Sequence, residues 1–73
     1  MSDLSLAVIP EALRLARLEA CMTQGELAKA AGVRRETVYR LEAGYPARPS
    51  SIRKIADALG LRPDAIARIQ GAA

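Results

Sequence analysis

Arg34, Arg35, Glu36, Tyr39 and Arg40 stand close together in the stretch GVRRETVYRLEAG, residues 32–44. Their chemistry is recognition rather than catalysis. A guanidinium presents its N–H donors as a planar fork that matches phosphate oxygens or the O6 and N7 acceptors of guanine. A carboxylate can accept from the amine of cytosine. At about 100° per residue, Arg35, Glu36, Tyr39, Arg40 and Ala43 share one helical face, while Val38 and Leu41 point the other way. Two cations at a helix start are unfavourable alone, because that end is the positive pole of the dipole. An Arg at the expected N-cap also lacks the short polar side chain that would satisfy a free N–H. An anionic partner docking on that end would answer both defects.

The remaining composition offers little for catalysis. The chain of 73 residues has no His, which removes the commonest general base and metal ligand. Its single Cys21 cannot form an internal disulfide or a multi-Cys zinc site, and it is expected to be a small buried residue. Neither an enzyme nor a cofactor or metal site is expected. Of the eleven basic residues all but Lys29 and Lys54 are Arg, and the net charge is +3. That balance fits a nucleic-acid partner. The start, MSDLSLAVIPEA, has an acid where a secretory signal has its basic region, and no apolar run approaches about 18 residues. A cytoplasmic, membrane-free protein of bacterial or phage origin is the expectation. With two Tyr and no Phe or Trp, the core must be aliphatic.

The elements that position the basic cluster are set by punctuation. Pro10 suits the first turn of a helix over residues 9–20. Thr23 and Glu26 have capping-box spacing, which starts a helix over 24–31. Gly32 ends it, and a third helix over 34–43 stops at Gly44. Ser50 can cap a helix over 50–59, and Pro63-Asp64 can open one over 63–69. Residues 1–8 are an N-terminal arm in which Leu4, Leu6 and Val8 alternate, so a strand or a plain extended segment fits equally. The sum is an all-α single domain over residues 1–73. Gly32-Val33 is so short a link that the helices before and after it must cross steeply. Ala28 permits the close approach, and Val33 plugs the turn.

MTQGELAKAAGVRRETVYRLEAG, residues 22–44, resembles the helix-turn-helix of the phage-repressor and Cro-type family, the XRE family. Gln24, Leu27-Ala28, Ala31-Gly32-Val33, Val38, Leu41-Glu42 and Gly44 carry the likeness. SIRKIADALGL, residues 51–61, resembles the family's fourth helix and the turn after it. The resemblance implies a five-helix lambda-repressor-like DNA-binding domain. It implies a transcriptional regulator, such as a repressor, acting by operator occupancy on double-stranded DNA. Helix 34–43 would lie in the major groove, and a homodimer would bind a near-palindromic operator. Arg35, Glu36 and Arg40 fall on the family's base-reading positions. Gln24 and Arg48 fall on backbone-contacting positions, and Arg34 and Tyr39 could touch bases or backbone. Arg17 and Glu42 occupy the places of a structural ion pair. The region around Leu61 to Ala65, with the loop before helix four, is by the same resemblance a candidate for self-association. The chain departs from the family in Arg34 and Arg62, where Ser or Thr is usual, and in Cys21, where Gly is frequent. Tyr45-Pro46-Ala47 replaces a run of Lys and Arg, which implies modest backbone affinity.

Blander roles stand beside these. Arg35 and Arg40 could be solvated charges. Glu36 could pair with Arg40 at i,i+4. Tyr39 could be a capping hydrophobe. Leu13, Ala16 and Ala20 supply the inward face of the first helix, which leaves Leu15 and Leu18 pointing elsewhere. Either the arm covers them or a protein partner does. The rival function is therefore an antitoxin or other protein-interaction module, binding its partner through the apolar arm and helix one.

Overall fold

The computed structural model describes residues 6–69. It starts with a strand, β1 (Leu6–Val8), whose Leu6 and Val8 are buried. Ile9 then takes the extended conformation required before proline, with φ −100° and ψ 94°, and α1 (Pro10–Glu19) begins at Pro10. α2 (Gln24–Ala31) opens on the capping box: Thr23 Oγ1 accepts from the Glu26 N–H at 3.0 Å, and Glu26 Oε1 accepts from the Thr23 N–H at 2.8 Å. α3 (Arg35–Glu42) is one residue shorter at each end than its sequence pattern predicts, because Arg34 is the extended N-cap and Ala43 the C-cap. No side chain caps α3. α4 (Pro49–Ala58) begins one residue before the expected start. Pro49 takes its first turn and Arg48, not Ser50, is the N-cap, since proline fixes the helical φ and leaves its predecessor extended.

The fifth helix does not form. Over the expected 63–69 there is a single 3-10 turn, Pro63–Ala65, and then β2 (Ala67–Ile69). The described residues thus hold four α-helices. Burying Leu6 and Val8 removes the β1 backbone from water, and its N–H and C=O groups then need partners. β2 supplies them as an antiparallel strand, with Leu6 opposite Ile69, Ala7 opposite Arg68 and Val8 opposite Ala67. Ile66, fully buried, accepts from the Ile9 N–H at 2.8 Å. Leu6 also bridges Ala47, donating to it at 2.9 Å and accepting from it at 3.1 Å. Of the two readings of this segment, strand or extended arm, the strand holds over Leu6–Val8, with β2 paired along it and Ala47 bridged to Leu6. Leu4 lies outside the described residues.

The core is aliphatic. Leu13, Leu27, Val38, Ile52, Ile55 and Ile66 are fully buried, and Ala28 and Ala31 let α2 sit close against α3 and α4. Val33 and Leu59 are partly buried against it. Ala20, expected on the inward face of α1, is exposed beyond the helix end. Leu15 and Leu18 are 57% and 54% exposed, and β1 does not cover them. No described helix is long and apolar enough to cross a membrane.

All four helices end alike. A residue with positive φ comes after each one: Cys21 at 57°, Gly32 at 72°, Gly44 at 95° and Gly60 at 69°. The next N–H then reaches back five residues, from Met22 to Arg17, Val33 to Ala28, Tyr45 to Arg40 and Leu61 to Ala56. With the N–H of the positive-φ residue itself donating three residues back, this double closure satisfies carbonyls that the helix leaves free. Cys21 is exposed, not buried, because the position after α1 lies at the surface.

Candidate nucleic-acid interface

α3 presents its polar face to solvent. Arg35, Glu36, Tyr39 and Arg40 are all exposed; Val38 and Leu41 are buried on the other side, and Glu42 is buried at the C-terminal end of the helix. Gln24, Arg35, Glu36 and Tyr39 line one shallow cleft between the starts of α2 and α3. Arg40 and Arg48 line another with Thr37 and Ser51, where α3 faces the loop before α4. Arg34, at the N-cap, is exposed. Of the residues expected at the interface, Gln24, Arg35, Glu36 and Tyr39 line one of these clefts and Arg40 and Arg48 the other, while Arg34 lines neither.

What fixes α3 is a three-helix hydrogen-bond network. Arg17 of α1 donates from Nε to Glu42 Oε2 at 2.6 Å and from Nη2 to Glu42 Oε1 at 3.0 Å. Its Nη1 donates to the Met22 carbonyl at 2.9 Å. Two parallel bonds to one carboxylate fix orientation as well as distance. Gln24, the first residue of α2, donates from Nε2 to Glu42 Oε1 at 3.1 Å. Burial pushes the Glu42 carboxyl up, but the hydrogen bonds from Arg17 and Gln24 and the charges of Arg17 and Arg14 outweigh it and hold it below the usual carboxylate range. The bond to Glu42 raises Arg17 above its ordinary value.

Gln24 therefore has a role the sequence does not predict. Part of its amide belongs to the scaffold, which leaves its carbonyl oxygen and one N–H for another partner. The start of α2 keeps further N–H groups without intrahelical acceptors. Glu36 forms no ion pair with Arg40 among the described residues. Arg40 instead lies over the ring of Tyr45, 4.6 Å from its centroid. Tyr45 is the functional candidate that the sequence pattern does not single out. Its one signal is an aromatic, rare in this chain, directly after the Gly44 break.

The surface built this way can offer the charged donors of its arginines, the Glu36 carboxylate and the Gln24 carbonyl oxygen to an anionic, edge-bearing ligand. Among the described residues no group of His, Cys, Asp and Glu could hold a metal ion. A family model described as helix-turn-helix matches residues 13–66, from within α1 to the buried Ile66, and stops short of both strands.

Proposed function

The chain belongs to the XRE-type helix-turn-helix family of DNA-binding regulators, and from that premise we propose that it reads double-stranded DNA with α3 in the major groove. One observation carries the reading. α3 exposes Arg35, Glu36 and Arg40 to solvent, while Glu42 at its C-terminal end is buried and ties the helix to α1 and α2. A rigid helix with free recognition groups is what direct readout needs.

In this reading Arg35 and Arg40 fork onto guanine, and Glu36 accepts from cytosine. The N-terminal N–H groups of α2, the free half of the Gln24 amide, Arg48 and Arg34 meet phosphate oxygens, with Tyr39 against base or backbone. The protein acts in the cytoplasm by occupying an operator. A homodimer would place two copies of α3 about 34 Å apart on a near-palindromic site. The exposed Leu61 and the turn beside it are the proposed contact between copies.

Selection of binding sites from random DNA tests the reading, with titration of the selected site at two salt concentrations. Enrichment of a near-palindromic site, with log K falling steeply against log salt, supports it. No enrichment, or binding indifferent to salt, overturns it. A second reading, a protein-binding module, rests on Leu15 and Leu18 alone, because Leu6 and Val8 are built into the core. Replacing both leucines by Ser would abolish partner binding in that reading and leave DNA binding intact.

A further inference from the structure

Arg40 lies over the Tyr45 ring, with Cζ 4.6 Å from its centroid, a contact that neither the helix pattern nor the ion-pair scaffold explains. We infer that Tyr45 is a positioning residue for base recognition: its ring holds the Arg40 guanidinium by the face and leaves the edge donors free for DNA. The inference rests on α3 being the recognition helix.

The contact has a backbone reason. Gly44, with φ of 95°, turns the chain back at the end of α3. The Gly44 N–H then donates to the Leu41 carbonyl at 3.1 Å and the Tyr45 N–H to the Arg40 carbonyl at 3.0 Å. Closures of this kind bring the side chain after the left-handed residue towards the helix's last full turn. Pro46 restricts the Tyr45 backbone from the other side. Ala47 is held by its two hydrogen bonds to Leu6. The ring therefore stands on a backbone fixed at both ends, and a tyrosine has only two side-chain torsions to order.

Arg17 and Arg40 make an informative contrast. Arg17 donates from Nε, Nη1 and Nη2, so its fork is engaged within the protein. Arg40 enters no side-chain hydrogen bond or salt bridge among the described residues. Stacking uses the flat face of the guanidinium, whereas all five N–H donors lie in its plane. Held by its face on the ring, Arg40 would lose rotamer freedom before DNA arrives without losing a donor. Ordering a long side chain beforehand lowers the entropy lost on binding.

A plain helix-end contact would be served by any apolar side chain at position 45. A positioning stack needs an aromatic face. The test measures affinity for the selected operator and for each of its single-base variants, using the wild type, Tyr45→Phe, Tyr45→Leu, Arg40→Ala and the double variant Tyr45→Leu/Arg40→Ala. Tyr45→Phe should keep the wild-type profile. Tyr45→Leu should lose about two- to fivefold on the operator, the size expected for an exposed cation–π contact. It should flatten preference at the same base pair that Arg40→Ala flattens, and the double variant should match Arg40→Ala alone. In the free protein, the Arg40 δ-methylene NMR signals should sit upfield through the ring current, stay there in Tyr45→Phe and move back in Tyr45→Leu. Three results overturn the inference while leaving readout by α3 standing: an unchanged base profile in Tyr45→Leu, a loss equal on all sequences, or a loss additive with Arg40→Ala. A wild type that selects no site removes the DNA reading and this inference together.

Discussion

Glu42 is the one buried charged side chain among the described residues, with 8% of its surface exposed. Removing one partner of such a pair leaves the other without its counter-charge, and Arg17 would keep only the Met22 carbonyl. Glu42→Ala should lose about 2–3 kcal/mol of stability, and Glu42→Gln, which keeps the shape and one acceptor, about 1–2 kcal/mol. Chemical denaturation checks both. The pH dependence has a fixed sign. The folded carboxyl is held below its unfolded value, so its contribution is complete above the unfolded pKa of about 4.3 and is lost as pH falls through the folded pKa. The gap between wild type and Glu42→Gln should therefore close in acid. A gap that persists there would show that packing, not charge, is responsible. At the other end of α3, Arg35→Ala should leave stability unchanged within about 0.5 kcal/mol, and on the selected operator it should lose about 1–3 kcal/mol of binding, with preference relaxed at one base pair. A drop equal on every sequence would reduce Arg35 to a phosphate contact. The exposed face is legible in the sequence because helical periodicity separates Arg35, Glu36, Tyr39 and Arg40 from Val38 and Leu41. The ion pair is not legible from spacing, since its partners are 25 residues apart and only the family resemblance joins them. The scaffold half of Gln24 is hidden because an amide carries no sequence mark of which partner it will choose.

Helix starts and stops are legible to different degrees, for local reasons. Thr23 with Glu26, and Gly32 and Gly44 after apolar helical stretches, are signals complete within a few residues. Ser50 misleads because Pro49 beside it is the stronger determinant of where a helix begins. Pro63-Asp64 is a true start signal, but the pairing need of β1 decides the conformation of Ala67–Ile69, and that need is invisible in residues 63–69. Cys21 departs furthest from its sequence pattern. It carries out the same turn as three glycines, yet a side chain in the left-handed region costs about 1 kcal/mol or more. Cys21→Gly should therefore raise stability by about 1 kcal/mol, which is roughly 4–8 °C in melting temperature for a domain of this size. Cys21→Ala removes the thiol but keeps a Cβ, so it should give no such gain. Gly32→Ala runs the other way. A Cβ there meets nothing within 4 Å, so any loss reports the backbone conformation alone. Equal melting temperatures for wild type and Cys21→Gly would show that the thiol side chain is accommodated without strain.

At the scale of the whole molecule, two chain segments far apart in sequence close the structure. β1 and β2 lie outside the matched helix-turn-helix span, yet Leu6, Val8 and Ala67 belong to the core. The alternation of Leu6 and Val8 is readable as a strand or an arm. Its partner is not, because Ala67–Ile69 reads locally as the tail of a helix. A two-stranded sheet is marginal by itself, so its stability must come from the helices it covers. The clasp also reaches the proposed interface: β1 runs through Ile9 into α1, which carries Arg17, and its bridge to Ala47 anchors the loop after α3. If it is part of one cooperative unit, weakening it must destabilise everything at once. Leu6→Ala should lose about 2 kcal/mol, near the low end for a buried leucine because Leu6 sits at the edge of the core. The melting temperature should then fall by roughly 10 °C in a single transition. In native-state hydrogen exchange, the Ile9 and Ala47 amides, bonded to Ile66 and Leu6, should exchange only with global unfolding, alongside amides in the centre of α2. Below the new melting temperature DNA selectivity should be unchanged, because the exposed face of α3 is untouched. Rapid exchange at Ile9, or a melting temperature unmoved by Leu6→Ala, would make the clasp an appendage to a helix-turn-helix that stands without it.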